Sequence, residues 1–152
     1  MQIKMRVTSP AFKNNEVLPV KYTCDGEGFN PPLEFSQIPP NSKSLVIICD
    51  DPDAPSGTFC HWLIWNINPQ ETHIAERSVP QGSIQGITSS GRPGYVPACP
   101  PSGSHRYVFK LYALDTLLEL PSSADQSQVE QLIQNHIIEQ AELVGLYSKS
   151  DQ

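Results

Sequence analysis

The sequence predicts a β-rich sandwich of antiparallel sheets with Greek-key connections and one helix near the carboxyl end. Three observations carry that prediction. Apolar residues recur in short runs, either alternating or continuous, between proline and glycine clusters; one late stretch has helical spacing; and strands and helices never alternate as a parallel sheet would require. Fifteen prolines and nine glycines in 152 residues favour short elements joined by rigid turns, because proline cannot donate to a sheet ladder or sit inside a helix. The chain, residues 1–152, reads as one domain, long enough to bury a core without staples or metals.

From the amino terminus, Ile3, Met5 and Val7 alternate with polar neighbours, which predicts a strand over Met1 to Thr8 before a turn at Ser9 and Pro10. Val20 to Cys24 reads as a short extended piece leading into the turn Asp25-Gly26-Glu27-Gly28. Pro31-Pro32 and Pro39-Pro40 hold Leu33 to Gln37 extended between them, since a residue before proline is pushed out of the α region. Ser44 to Asp50 is a central strand whose end delivers Asp50, Asp51 and Asp53 into a proline-rich turn. His61 to Ile67 follows, with His61, Leu63, Trp65 and Ile67 expected on one face and Trp62, Ile64 and Asn66 on the other. Gln81 to Gly103 has little periodicity and reads as a long ordered loop, a kind of segment that tends to carry function. His105 to Leu114 alternates again, placing His105, Tyr107, Phe109 and Leu111 together.

The helix is expected from a capping box at Ser127 and Glu130. Its stripe is Val129, Leu132, Ile133, His136, Ile137, Gln140 and Ala141, with Gly145 as the stop. On that stripe His136 is expected in the core. Leu143 to Tyr147 is left for a last strand or turn.

A net charge of −6 with scattered Lys and Arg argues against a nucleic-acid partner. No signal-type or membrane-spanning segment is visible, so a cytoplasmic, non-membrane protein is expected. In that compartment Cys24, Cys49, Cys60 and Cys99 are expected as free thiols, with Cys24 and Cys99 the first pairing to check.

Asp51, His61 and His105 fall at strand ends beside Pro and Gly turns. Converged at one rim, they would bind a small anion, with imidazole and Tyr107 hydroxyl as donors and a carboxylate orienting a ring. Bland readings stand beside this one. Asp before Pro commonly caps a turn, either histidine can be structural, His73 looks exposed, and Arg92 is a rim cation or a salt-bridge partner. Asp with two His is also a zinc-type set, without a fixed fourth ligand beyond Cys99. Nucleophile-elbow, phosphate-loop, zinc-protease and dinucleotide signatures are missing, so a binding protein is expected rather than an enzyme, with a His-based hydrolase the residual alternative.

At these residues the chain resembles the phosphatidylethanolamine-binding protein family, in its small bacterial and archaeal, Raf kinase inhibitor-like branch. The resemblance begins at Lys21-Tyr22-Thr23-Cys24-Asp25-Gly26 and Asn30-Pro31-Pro32-Leu33. It runs through Asp51-Pro52-Asp53-Ala54-Pro55, His61-Trp62 and Pro100-Pro101-Ser102-Gly103-Ser104-His105-Arg106-Tyr107. It implies a β-sandwich with an edge pocket for a phosphate- or carboxylate-bearing ligand, and no cofactor. Asp51, Pro55, His61, His105 and Tyr107 would be its ligand-binding residues, with Arg92, Gly94, Tyr95, Ala98, Cys99 and Pro101 at its rim. It further implies a regulatory role, with direct inhibition of a kinase or serine protease as the alternative function, offered by a loop at Ile84 to Tyr95. A homodimer is expected too, with Trp62 and Trp65 either at that interface or in the core. One departure stands out: relatives carry Gly-Pro where this chain has Pro97-Ala98, which is expected to remove a backbone donor or narrow the pocket mouth.

Overall fold

The structure is a computed structural model that describes residues 4–149. Among the described residues nine strands and one α-helix follow in order: β1 (Arg6–Thr8), β2 (Glu16–Val17), β3 (Leu33–Ser36), β4 (Ser44–Asp51), β5 (Phe59–Ile67), β6 (His73–Ile74), β7 (Ile84–Gln85), β8 (Ser104–Leu114), α1 (Gln126–Ile133) and β9 (Ile137–Ser148). Ile3, part of the expected first strand, lies outside the described residues.

The strands form a three-stranded sheet, β1-β3-β6, and a six-stranded sheet, β2-β9-β8-β4-β5-β7. Within the larger sheet β8 returns to lie beside β4, giving the spatial order of a Greek key. The sandwich is mixed rather than wholly antiparallel, because β2 pairs in parallel with β9. Its main core lies between the sheets: Val7, Leu33, Phe35 and Ile74 of the small sheet meet Leu45, Ile47, Trp62, Phe109 and Leu143 of the large one. The opposite face of the large sheet is covered by α1 and the segment before it, where Val46, Ile48, Leu63 and Trp65 pack on Leu118, Ala124, Val129 and Ile133. β4, a continuous apolar run, is therefore buried on both faces. Trp62 and Trp65 are fully buried on opposite faces, which makes them core residues and removes them as marks of a subunit interface.

The helix differs most from expectation. It is capped by Asp125, whose side chain accepts from the Gln128 N–H while the Gln128 side chain accepts from the Asp125 N–H; Ser127 and Glu130 do not form the box. It ends at Ile133, and residues 137–148 form β9, antiparallel to β8 from Leu114 back to Ser104. The apolar spacing from Val129 to Ala141 fits either period, but pairing along all of β8 satisfies the backbone of this segment and buries Leu143 and Tyr147. His136 thus sits at the turn, half-exposed, with Nδ1 2.8 Å from Asp115 Oδ1, and not in the core.

Two smaller corrections are local. Val20–Tyr22 is a 3-10 turn rather than an extended piece, closed by the Thr23 hydroxyl donating to the Val20 carbonyl at 2.7 Å. The four cysteines are not all free. Cys24 and Cys99 form a disulfide, whereas Cys49 and Cys60 are buried thiols. A parallel bridge between Thr23 and Ala98, with the Cys24 N–H donating to the Ala98 carbonyl at 3.0 Å, lays the two segments side by side.

Candidate functional site

The site forms where β4, β5 and β8 end at one edge of the large sheet. β4 delivers Asp51 as its last residue, and β8 presents His105 and Tyr107 at its start, two apart and so on the same face. Simple alternation would put His61 elsewhere. Leu63 and Trp65 face α1, and His61, two residues earlier, belongs by period two with them.

A bulge corrects this. Cys49 pairs with Trp62 but Asp50 pairs with Cys60, so one step on β4 spans two on β5 and His61 is the extra residue. Cys60 keeps to the α1 face, and His61 turns to the other, where its ring meets Tyr107 edge-on at 5.2 Å and Phe59 at 4.7 Å between centroids. A second bulge at Asn66, in left-handed backbone with φ of 57°, moves Ile67 onto the Trp62 face, against the alternation expected for it. The Asn66 side chain fixes that bulge by bonding both the N–H and the carbonyl of Leu118.

The polar groups are tightly committed. Asp51 Oδ1 accepts from the Asp53 N–H at 2.8 Å, the turn-capping contact expected of Asp before Pro, while Oδ2 lies 2.6 Å from His105 Nδ1. One carboxylate therefore both caps the turn and orients the imidazole. His61 Nδ1 lies 2.8 Å from the Val96 carbonyl, which can only accept, so Nδ1 carries the proton. The Val96 N–H in turn donates to the His61 carbonyl at 2.8 Å. Burial lowers the His61 pKa below its ordinary value, against the opposing pull of the Val96 carbonyl and Asp51. Tyr107 is raised above the usual phenol range by burial and by Asp51, so its hydroxyl keeps its proton. That hydroxyl is buried and has no hydrogen-bond partner among the described residues.

These groups open onto a cavity of about 210 Å³ lined by Asp51, Ala54, Pro55, Phe59, His61, Val96, Pro97, Cys99, Pro100, Pro101, His105 and Tyr107. All five expected ligand-binding residues line it, as do Cys99 and Pro101 of the expected rim. The other four rim residues do not. Tyr95 packs edge-on against Trp62 and donates its hydroxyl to the Tyr22 carbonyl; Ala98 is buried against Thr23; Gly94 occupies a turn with φ of 99°. Arg92 is exposed, and its carbonyl closes the Thr88 turn. Larger depressions of about 650 and 640 Å³ lie at Asp115–Glu119 and between β1 and β9, but neither gathers buried polar side chains.

Phe59, Ala54, Val96 and Pro100 are lining residues that sequence reasoning missed. Phe59 was within reach, since it pairs with Asp51 at the strand end; Val96 acts through its backbone and leaves no side-chain signal. Pro97 forms part of the wall and, like Pro55, Pro100 and Pro101, brings no N–H to it. Among the described residues no cluster of three or more His, Cys, Asp or Glu is arranged to hold a metal, and no helix is long and apolar enough to cross a membrane.

Comparison with known proteins adds independent support for the architecture. The phosphatidylethanolamine-binding protein family matches residues 8–148. A UPF0098 protein of Methanothermobacter thermautotrophicus is 45% identical over 95% of this chain and 99% of its own length, and one of Pyrococcus horikoshii is 48% identical over 97% and 78%. Among solved structures, a Chlamydia trachomatis homologue of phosphatidylethanolamine-binding protein superposes with a TM-score of 0.93 at 40% identity, over 96% of this chain and 98% of the other. Escherichia coli YbcL, described as a new member of the mammalian family, gives 0.90 at 30% identity, over 96% and 99%. With nearly the whole chain matched, its strands superposing on those of solved members, this protein belongs to the phosphatidylethanolamine-binding protein family.

Proposed function

We propose that this protein binds a small oxyanion, phosphate or a phosphate- or carboxylate-bearing metabolite, in the pocket of Asp51, His61, His105 and Tyr107. The observation that carries this reading is the Tyr107 hydroxyl, a protonated donor that is buried, belongs to a residue lining the cavity and has no hydrogen-bond partner among the described residues. A buried donor left unmade costs free energy, so such a group points to a ligand or bound water that completes it. Two imidazoles with Nδ1 already engaged stand beside it, leaving both Nε2 atoms for the same guest. Binding rather than turnover is favoured because no serine, threonine, lysine or free thiol lines the cavity: the Cys99 sulfur is in a disulfide and Tyr107 stays protonated.

The test is titration with phosphate and phosphoethanolamine while the His61 and His105 ring signals are followed by NMR. Saturable shifts at these rings and Tyr107 are expected. Unmoved rings at millimolar ligand would overturn the reading.

A further inference from the structure

We propose that the exposed Cys24–Cys99 disulfide is a redox-sensitive latch on the pocket: a dithiol that opens it frees the wall at Cys99, Pro100 and Pro101 and weakens the hold on an anion. This inference rests on the anion-binding reading above and assigns a regulation to that site.

The four cysteines fall into two classes by position. Cys49 and Cys60 are buried, and burial raises both above the ordinary thiol range, which keeps them protonated and unreactive. Cys24 and Cys99 are exposed, and exposed disulfides are the labile ones, because an attacking thiolate can reach a sulfur. A thiolate of the dithiol attacks one sulfur, the bond between Cys24 and Cys99 breaks and a mixed disulfide forms; the second thiol of the reductant then displaces the protein. Two electrons and two protons pass to Cys24 and Cys99, leaving both as thiols, and the reductant departs as a disulfide.

Upstream of Cys99 the loop is anchored without this bond. Val96 pairs with His61 through both its N–H and its carbonyl, Tyr95 donates its hydroxyl to the Tyr22 carbonyl, and the Ala98 carbonyl accepts from the Cys24 N–H. Pro97 is wedged against Gly28, where a Cβ would stand 3.0 Å from the proline ring. Downstream, the Gly103 carbonyl accepts from the Lys149 N–H at 3.1 Å. Between these anchors Pro100 and Pro101 have no N–H to donate, and among the described residues no backbone–backbone hydrogen bond holds 99–102. Burial of Pro100 and the disulfide are what keep this stretch in place. Cys99, Pro100 and Pro101 all line the cavity, whereas Cys24 does not. Opening the bond therefore leaves the His61–Val96 pairing intact and releases one wall. A guest must then order that wall as it binds, which lowers its affinity.

The experiment titrates the purified protein with inorganic phosphate before and after treatment with dithiothreitol, an uncharged dithiol that does not compete as an anion. The His61 and His105 ring signals are read by NMR, and iodoacetamide labelling of Cys24 and Cys99 in the folded protein reports the reduction. Reduction is expected to weaken phosphate binding about fivefold, as when the ordered wall is populated about one-fifth of the time, and reoxidation to restore it. Cys24→Ser breaks the tie but keeps Cys99 in the wall, so it should bind like the reduced protein and no longer respond to dithiothreitol. Equal phosphate affinity in the oxidised and reduced forms would overturn the inference and leave anion binding standing. A disulfide that resists dithiothreitol in the folded protein would overturn it because the bond is then out of reach. Global unfolding on reduction would overturn it too, since the bond would then hold the fold and not the wall. Phosphate binding by neither form would overturn both the inference and the reading on which it rests.

Discussion

Asp51 Oδ2 and His105 Nδ1 lie 2.6 Å apart with both side chains buried, and the other oxygen of the same carboxylate closes the turn into Asp53. The two residues are 54 positions apart in sequence, so this contact ties the end of β4 to the start of β8 at the mouth of the pocket. It couples the local turn to the placement of a cavity-lining ring.

Removing the carboxylate should therefore cost stability as well as site geometry. Asp51→Ala leaves the His105 Nδ1 and the Asp53 N–H without their acceptor, and a loss of about 2–4 kcal/mol is expected for a broken buried pair. Urea unfolding of the variant measures it. A change under half a kcal/mol would show that the contact contributes little.

The depressed His61 pKa makes a second prediction, with its sign set by linkage. In the unfolded chain the ring titrates near its ordinary value of about 6.5, and in the folded protein below that. The unfolded state thus binds more protons in this window, so the His61 contribution is fully present above about pH 6.5 and is lost as pH falls through the folded value. NMR titration of the ring should give a midpoint below 6.5, and His61→Phe should flatten the acid side of the stability profile. A midpoint at or above 6.5 would contradict the burial argument.

The Cys24–Cys99 disulfide joins residues 75 apart and holds the pocket wall at Cys99 against the Thr23–Cys24 segment. Closing so long a loop restricts the unfolded chain, which typically contributes about 2–4 kcal/mol. Reduction, or Cys24→Ser with Cys99→Ser, is expected to lower the Tm by several degrees and to loosen the wall, read as faster amide exchange at residues 96–101. An unchanged melting curve under reduction would count against the link.

Much of this fold was legible because its central strands advertise themselves. Leu45 to Cys49 is apolar on both faces, and His105, Tyr107, Phe109 and Leu111 alternate cleanly; both patterns are local and survive in the structure. What was not legible depends on partners far away in sequence. Residues 137–141 continue a spacing that suits a helix, and only the pairing of 137–148 with β8 makes them part of a strand. His61 is the sharper case: alternation assigns it to the α1 face, and the bulge that reverses this exists only relative to the register of β4. The motif resemblance placed His61 in the pocket; its periodicity did not. The rim was legible only in part because Tyr95 and Ala98 read as loop residues, whereas contacts with Trp62 and Thr23 make them core. The disulfide was set aside on grounds of compartment, which carry no information on the approach of residues 23–24 to 98–99.

The most direct test of the account is Tyr107→Phe, measured for both stability and phosphate affinity. The hydroxyl has no partner among the described residues, so its loss should leave folding stability unchanged within about 0.5 kcal/mol, or slightly raised. If it donates to a bound anion, phosphate affinity should fall about tenfold, the equivalent of one hydrogen bond to a charged group. A variant that binds phosphate as tightly as the native protein would contradict the claim that this buried donor is kept for a ligand.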